Sequence, residues 1–160
     1  MNNVVLHLGS NIGDRLTQLN RAFELISAEI GPIANKSSVF ETEAWGKKDQ
    51  DNFLNQAAVV HTSLSAEDTL LKCKAIEKQM GSFKTETWGP RTIDIDVLFY
   101  NDSIIDKENI KIPHPMIEKR NFVLIPLMEI LGEMVHPVLE KTIEELYEES
   151  NDPCEVWIYD

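Results

Sequence analysis

The chain is short of cysteine, of basic residues and of long apolar runs, and each shortage narrows what it can be. Cys73 and Cys154 are its two cysteines, too few for a disulfide framework and without metal-ligand spacing. A reducing, cytoplasmic compartment is the simplest expectation. Glycine and proline number seven each and follow no period, which excludes collagen-like and linker composition. No apolar run nears the roughly 18–20 residues of a membrane span, so no membrane partner is expected. The N-terminus MNNVVLHLGSN lacks a basic leader and reads as a first strand, not a signal peptide. Asp and Glu total 27 against 15 Lys and Arg, a net charge of -12. Nucleic-acid affinity is mostly phosphate neutralisation, so no nucleic-acid partner is expected and any anion must meet a local basic cluster. Residues 121–160 hold ten acids and one base, Lys141, and read as a solvated surface that aids solubility. Phosphate loops of the G-x-x-x-x-G-K-[ST] and G-x-G-x-x-G types are absent, as is a zinc-ligand cluster.

What is present is enough apolar content, 42% of 160 residues, for one globular domain spanning 1–160. Val4–Leu8 reads as a strand. Leu16, Leu19, Phe23, Ile26 and Ile30 recur at helical spacing, ended by Gly31-Pro32. Ser37–Thr42 and Phe53–Thr62 read as strands. Ser65 caps a second helix with Leu70, Cys73, Ile76 and Met80 inward, stopping at Gly81. Thr92–Tyr100 alternates as a strand with a short Ser103–Ile105 extension, and Phe122–Leu131 is helical. Thr142 and Glu145 form a capping box for a last helix, and Glu155–Tyr159 is a final strand. The expected fold is therefore α+β: a ferredoxin-like antiparallel sheet with helices packed mainly on one face, plus an extra C-terminal helix and strand.

The sharpest chemical signal is Ile93-Asp94-Ile95-Asp96-Val97. Alternation sends Ile93, Ile95 and Val97 to the core and puts Asp94 and Asp96 together on the other face, their Cα atoms roughly 6.5–7 Å apart. Two like charges there repel, and a hard divalent cation between them would relieve the repulsion. A solvated strand face with neutralising lysines is the plainer alternative. The flanks favour a site. Trp88-Gly89-Pro90 forms a tight turn, and Arg91 follows it. Lys84 lies upstream, with His114, Lys119 and Arg120 downstream. Basic residues rimming an acidic metal site are what a magnesium–nucleotide complex requires, since the guanidinium fork matches phosphate oxygens. Phe53 and Asn55 share a strand face and could stack on and hydrogen-bond to a flat heterocycle. A buried Phe beside an exposed Asn is the plainer reading of the pair by itself.

These motifs together resemble the 6-hydroxymethyl-7,8-dihydropterin pyrophosphokinase family of folate biosynthesis. The resemblance runs from Leu8-Gly9-Ser10-Asn11 to about Glu129. It is carried by Trp88-Gly89-Pro90-Arg91-Thr92-Ile93-Asp94-Ile95-Asp96, Phe53-Leu54-Asn55, Pro113-His114-Pro115, and Arg120 with Phe122. It implies a small cytoplasmic monomer that transfers pyrophosphate from ATP to the pterin hydroxymethyl group and releases AMP. It implies two magnesium ions on Asp94 and Asp96, and catalytic or phosphate-holding roles for Lys84, Arg91, His114 and Arg120. Glu77, Trp88 and Val97 would line the nucleotide side. Phe53 and Phe122 would sandwich the pterin, with Asn55, Thr42, Trp45 and Asn11 completing its pocket. Polar segments near Trp45–Gln50 and Ser82–Thr87 would close over ATP and exclude water. This chain departs from the family in lacking an arginine after Gly81 and in carrying Phe53 and Pro115 where tyrosines are frequent. Another magnesium-dependent phosphotransferase for a flat hydroxymethyl heterocycle, or an inactive pterin- or nucleotide-binding module, stays open at this point. Deleting the residues after Ser150 is expected to leave catalysis unchanged.

Overall fold

The computed structural model describes residues 1–43, 51–81 and 92–159. Its chain order is β1 (Asn2–Ser10), α1 (Arg15–Glu29), β2 (Ile33–Lys36), β3 (Phe40–Thr42), β4 (Phe53–Thr62), α2 (Ala66–Gln79), β5 (Asp94–Tyr100), β6 (Ile105–Lys107), β7 (Ile110–Ile112), α3 (Asn121–Leu131), α4 (Ile143–Glu148) and β8 (Val156–Ile158). A 3-10 turn at Ile117–Lys119 precedes α3. The main sheet runs β5-β1-β4-β3-β8, with β2 also on β4, and its pairings are antiparallel. With α1 and α2 between the strands, that order is ferredoxin-like, and β8 extends it beyond β3.

Local chemistry explains the helix ends. The Asp14 side chain accepts the Thr17 N–H, and Ser65 Oγ accepts the Asp68 N–H, each at 3.1 Å. After α1, Gly31 lies so close to β4 that a Cβ would sit 1.8 Å from the His61 carbonyl oxygen. Only glycine fits there. Thr142 and Glu145 form the expected reciprocal capping box on α4.

Alternation along the strands makes two cores. Val4, Leu6 and Leu8 of β1, Leu54, Ala58 and Val60 of β4, and Ile93, Ile95 and Val97 bury against Phe23 and Ile26 of α1 and Cys73 and Ile76 of α2. Val5, Ala57, Leu98 and Phe99 bury on the opposite side against Ile117, Val123, Leu124, Leu127, Ile143 and Leu146. The two long amphipathic helices thus share one face, and the C-terminal additions cover part of the other. The β1–β5 register shifts there: Val5 opposes Phe99 and Leu6 opposes Val97. Leu98 is the extra residue of a bulge, which lets consecutive Leu98 and Phe99 join the same core.

Two regions differ most from the sequence reading. The strand expected at Ser37–Thr42 forms only at Phe40–Thr42, and β2 at Ile33–Lys36, which was not expected, precedes it. Between them Ser37 is held to β4 by its backbone N–H on the Ala57 carbonyl at 2.9 Å. Its Oγ accepts the Ala57 N–H at 2.9 Å and its carbonyl accepts from Gln56 Nε2 at 2.7 Å. The Ser103–Ile105 extension is instead a separate hairpin, β6 with β7.

Candidate active site

The second face of the sheet is apolar under α3 and α4 and polar beyond the bulge. Register fixes its polar half. Gly9 lies opposite Asn55 on one side and Asp94 on the other, and His7 lies opposite Ala57 and Asp96. Phe40 faces Asn55, and Thr42 faces Phe53. Directly paired residues project to the same side. Thr42, Phe53, Asn55, Asp94 and Asp96 therefore share one face, with His7 and Gly9 as its floor. A Cβ at Gly9 would lie 3.5 Å from both Asn55 Oδ1 and Phe53 Cδ1, so the glycine keeps that floor open.

The start of α3 forms one wall. Phe122 tilts over His7, ring centroids 5.7 Å apart, and the Arg120 guanidinium carbon lies 5.6 Å from the Phe122 ring centre. The Phe122 carbonyl oxygen, an acceptor, is 3.1 Å from His7 Nε2, so Nε2 carries the ring proton. Burial pushes the His7 pKa down to about 4, so the ring is neutral at physiological pH.

Asn55 is 1% exposed, and its Nδ2 meets no hydrogen-bond partner among the described residues. A buried unsatisfied donor costs about 1–3 kcal/mol and points to a polar ligand. The Thr42 hydroxyl donates to the Glu155 carbonyl at 2.9 Å, and Asn11 Nδ2 donates to the Asp51 carbonyl at 3.1 Å. Both tie neighbouring segments to the rim of the face.

His114 and Arg120 are half-buried beside the carboxylates. His114 Nδ1 accepts the Met116 N–H at 3.2 Å, which leaves the proton on Nε2. Burial lowers the His114 pKa, Asp96 opposes that, and Arg120 adds to it. Burial likewise lowers the Arg120 pKa, opposed by Asp96, Asp94 and Asp152. Glu77 reaches the open edge of β5, where its Oε2 accepts the Ile95 N–H at 2.7 Å. Burial, with Asp94 and Asp96 adding to it, pushes the Glu77 pKa up to about 7 against that hydrogen bond. The negative field of the pair thus registers on its neighbours.

No group of three His, Cys, Asp or Glu suited to a metal occurs among the described residues. Two carboxylates still fit magnesium, which is commonly held by one or two carboxylates together with substrate phosphate oxygens.

Comparison with known proteins decides the family. The model of the 7,8-dihydro-6-hydroxymethylpterin-pyrophosphokinase (HPPK) family matches residues 5–132. The chain belongs to the HPPK family. The 2-amino-4-hydroxy-6-hydroxymethyldihydropteridine pyrophosphokinase of Aquifex aeolicus is 43% identical over 150 residues, covering 94% of this chain and 93% of that protein. The Bacillus subtilis protein of that name is 42% identical, covering 81% of this chain and 79% of that one. The folic acid synthesis protein of Pneumocystis carinii is 39% identical over 93% of this chain, which spans only 20% of its length. A Plasmodium falciparum HPPK-DHPS crystal structure has the same fold, with TM-score 0.76 and 21% identity, covering 92% of this chain and 45% of that one. The chain is accordingly a pyrophosphokinase acting in folate biosynthesis.

Most HPPK positions expected from sequence meet on the polar face: Asp94, Asp96, Phe53, Asn55, Thr42 and Phe122, with His114 and Arg120 at the rim. Val97 is not on it. It is 5% exposed and packs with Ile93 and Ile95 in the first core, because alternation puts it on the side away from the aspartates. Glu77 approaches β5 from that same side. Trp45, Lys84, Trp88 and Arg91 lie outside the described residues, as do the segments expected to close over ATP. The sequence reading missed His7 and gave Gly9 no role. A polar residue alternating with Leu6 and Leu8 was the available signal for His7.

Proposed function

We propose that this chain transfers the terminal pyrophosphate of ATP to the hydroxymethyl group of 6-hydroxymethyl-7,8-dihydropterin and releases AMP. The observation that carries this reading is the register Asn55–Gly9–Asp94. It sets a buried amide, unsatisfied among the described residues, and a carboxylate pair two strand spacings apart, about 9.5 Å, across an open glycine. A bicyclic heterocycle with a one-carbon arm suits that gap: ring edge on Asn55, hydroxyl toward Asp94 and Asp96.

Phe53 and Phe122 would stack on the pterin, and Thr42, Trp45 and Asn11 would frame it. Asp94 and Asp96 would hold Mg2+, two ions in the full complex, which would supply Lewis-acid stabilisation and would lower the pKa of the attacking hydroxyl. That hydroxyl oxygen bonds to the β-phosphorus as its proton passes to water, the bond from the β-phosphorus to the α–β bridging oxygen breaks, and AMP leaves with that oxygen. Arg120, Arg91 and Lys84 take up charge on the triphosphate. His114 donates from Nε2 while neutral, so its grip needs no protonation. Glu77, Trp88 and the edge of β5 near Val97 would line the nucleotide side. Residues 1–160 would act as one cytoplasmic, monomeric pyrophosphokinase domain.

The test is AMP formation from ATP, magnesium and 6-hydroxymethyl-7,8-dihydropterin, with a control lacking the pterin. The expected result is AMP release that depends on both magnesium and pterin. ATP binding with no pterin-dependent AMP would overturn the reading.

A further inference from the structure

Helix α3 begins without a cap of its own. Its N-cap position is Arg120, whose side chain makes no capping hydrogen bond. A guanidinium has only donors and can make none. The first backbone N–H groups of a helix lack partners within it, and Ser, Thr, Asp or Asn at the N-cap is the usual remedy. Here the acceptor comes from 31 residues downstream. Asp152 Oδ2 accepts the Asn121 N–H at 2.8 Å, and the Asp152 carbonyl accepts from Asn121 Nδ2 at 3.3 Å. A carboxylate also suits the positive end of the helix.

Asp152 is itself fixed. Its Oδ1 accepts the Cys154 N–H at 3.0 Å, and its own N–H donates to Ser150 Oγ at 3.2 Å. The segment then runs through Glu155, which takes the Thr42 hydroxyl, into β8, where Val156 pairs with Thr42. On the opposite side, His7 Nε2–H holds the Phe122 carbonyl. The turn Arg120–Phe122 is thus gripped by the sheet floor and by the C-terminal strap. An acceptor residue at position 120 would cap the helix but remove the guanidinium beside Asp94 and Asp96. Supplying the acceptor from elsewhere keeps both.

We propose that Asp152 is a positioning residue for the transfer site: it caps α3 in place of Arg120, and so holds Arg120 toward the aspartate pair and Phe122 over the pterin slot. The inference rests on the roles proposed above for Arg120 and Phe122. It also reverses the sequence expectation that residues after Ser150 are dispensable.

The test compares the full chain with Asp152→Ala and Asp152→Asn by two readouts. Hydrogen exchange of the backbone amides of residues 121–124 should speed up about tenfold in Asp152→Ala, the size expected for a lost cap, with β1 and β4 unchanged. Steady-state kinetics well below the melting midpoint should show kcat/KM for the pterin falling about tenfold. Asp152→Asn keeps one acceptor oxygen for the Asn121 N–H but gives up the acceptor for the Cys154 N–H, and should recover part of both losses. Unchanged exchange in Asp152→Ala overturns the proposal. Faster exchange with kcat and both KM values unchanged overturns it too, since that would be capping without positioning. A wild-type protein that releases no AMP would sink the pyrophosphokinase reading instead, and the exchange measurement would then decide the capping by Asp152 without any turnover.

Discussion

The two faces of the sheet are made by the same strands and do opposite work. Toward α1 and α2, β1 presents Val4, Leu6 and Leu8, while β5 presents Ile95 and Val97, all buried among apolar side chains. On the other face, the same strands present His7, Gly9, Asp94 and Asp96. The first face is apolar throughout, while the second is apolar only under α3 and α4. Beyond the bulge it carries an amide unsatisfied among the described residues, a bare glycine floor and two like charges, features that cost stability and suit a ligand. A period of two lets each residue be assigned to one task without compromising its neighbour.

The largest expected effect comes from exchanging the tasks on β5. Asp96→Ala should abolish AMP formation yet leave the thermal midpoint little changed, because relief of repulsion with Asp94 offsets the lost attraction to Arg120 and His114. Ile95→Ala, one residue away and on the other face, should lose about 2–5 kcal/mol of stability while the folded fraction keeps its turnover. Denaturant unfolding and pterin-dependent AMP release on both variants would check this. A strongly destabilised Asp96→Ala, or near-normal turnover in it, would break the separation of the faces.

A smaller effect should come from closing the floor. Gly9→Ala places a Cβ 3.5 Å from Asn55 Oδ1 and Phe53 Cδ1, an ordinary contact, so folding should be nearly unaffected. The methyl group would nonetheless stand in the proposed pterin slot. The KM for the pterin should rise about tenfold, in line with 1–3 kcal/mol for overpacking, while the KM for ATP stays within about twofold. Equal changes in both constants would place the pterin elsewhere.

The contrast between faces also explains what the sequence made legible. Long alternating segments are self-describing: β4 spans Phe53–Thr62 as read, and Asp94 and Asp96 share a face as read. Helix ends marked by Ser65, Thr142 and Gly31 were equally readable, because capping chemistry is local. Illegible features depend on residues distant in the chain. The gap between β2 and β3 holds Ser37, whose own polar atoms pair with Ala57 and Gln56, which no local pattern announces. Val97 follows the alternation rule, and the rule itself removes it from the aspartate face. Asp152 reads as one more acid in an acidic tail until its carboxylate is seen on the Asn121 N–H.

The smallest effect is expected away from the site, where a histidine has a purely structural task. His136 is buried against the edge of Phe99, and its Nδ1 accepts the N–H groups of Val138 and Leu139 at 3.2 and 3.1 Å. Protonating Nδ1 would turn that acceptor into a third donor. Burial lowers the folded pKa, and the Glu118 charge only partly opposes it. The unfolded chain therefore binds the proton first as pH falls. Stability from this group is full above the ordinary value of about 6.5 and is lost as pH drops below it toward the lowered folded value. His136→Gln removes the titration. Its melting midpoint should lie below that of the parent at pH 8 and converge on it toward pH 5, with AMP formation at pH 8 unchanged. Parallel profiles for the two proteins would show that the turn does not sense the proton, and altered turnover would show that the two halves of this face are not as separate as their chemistry.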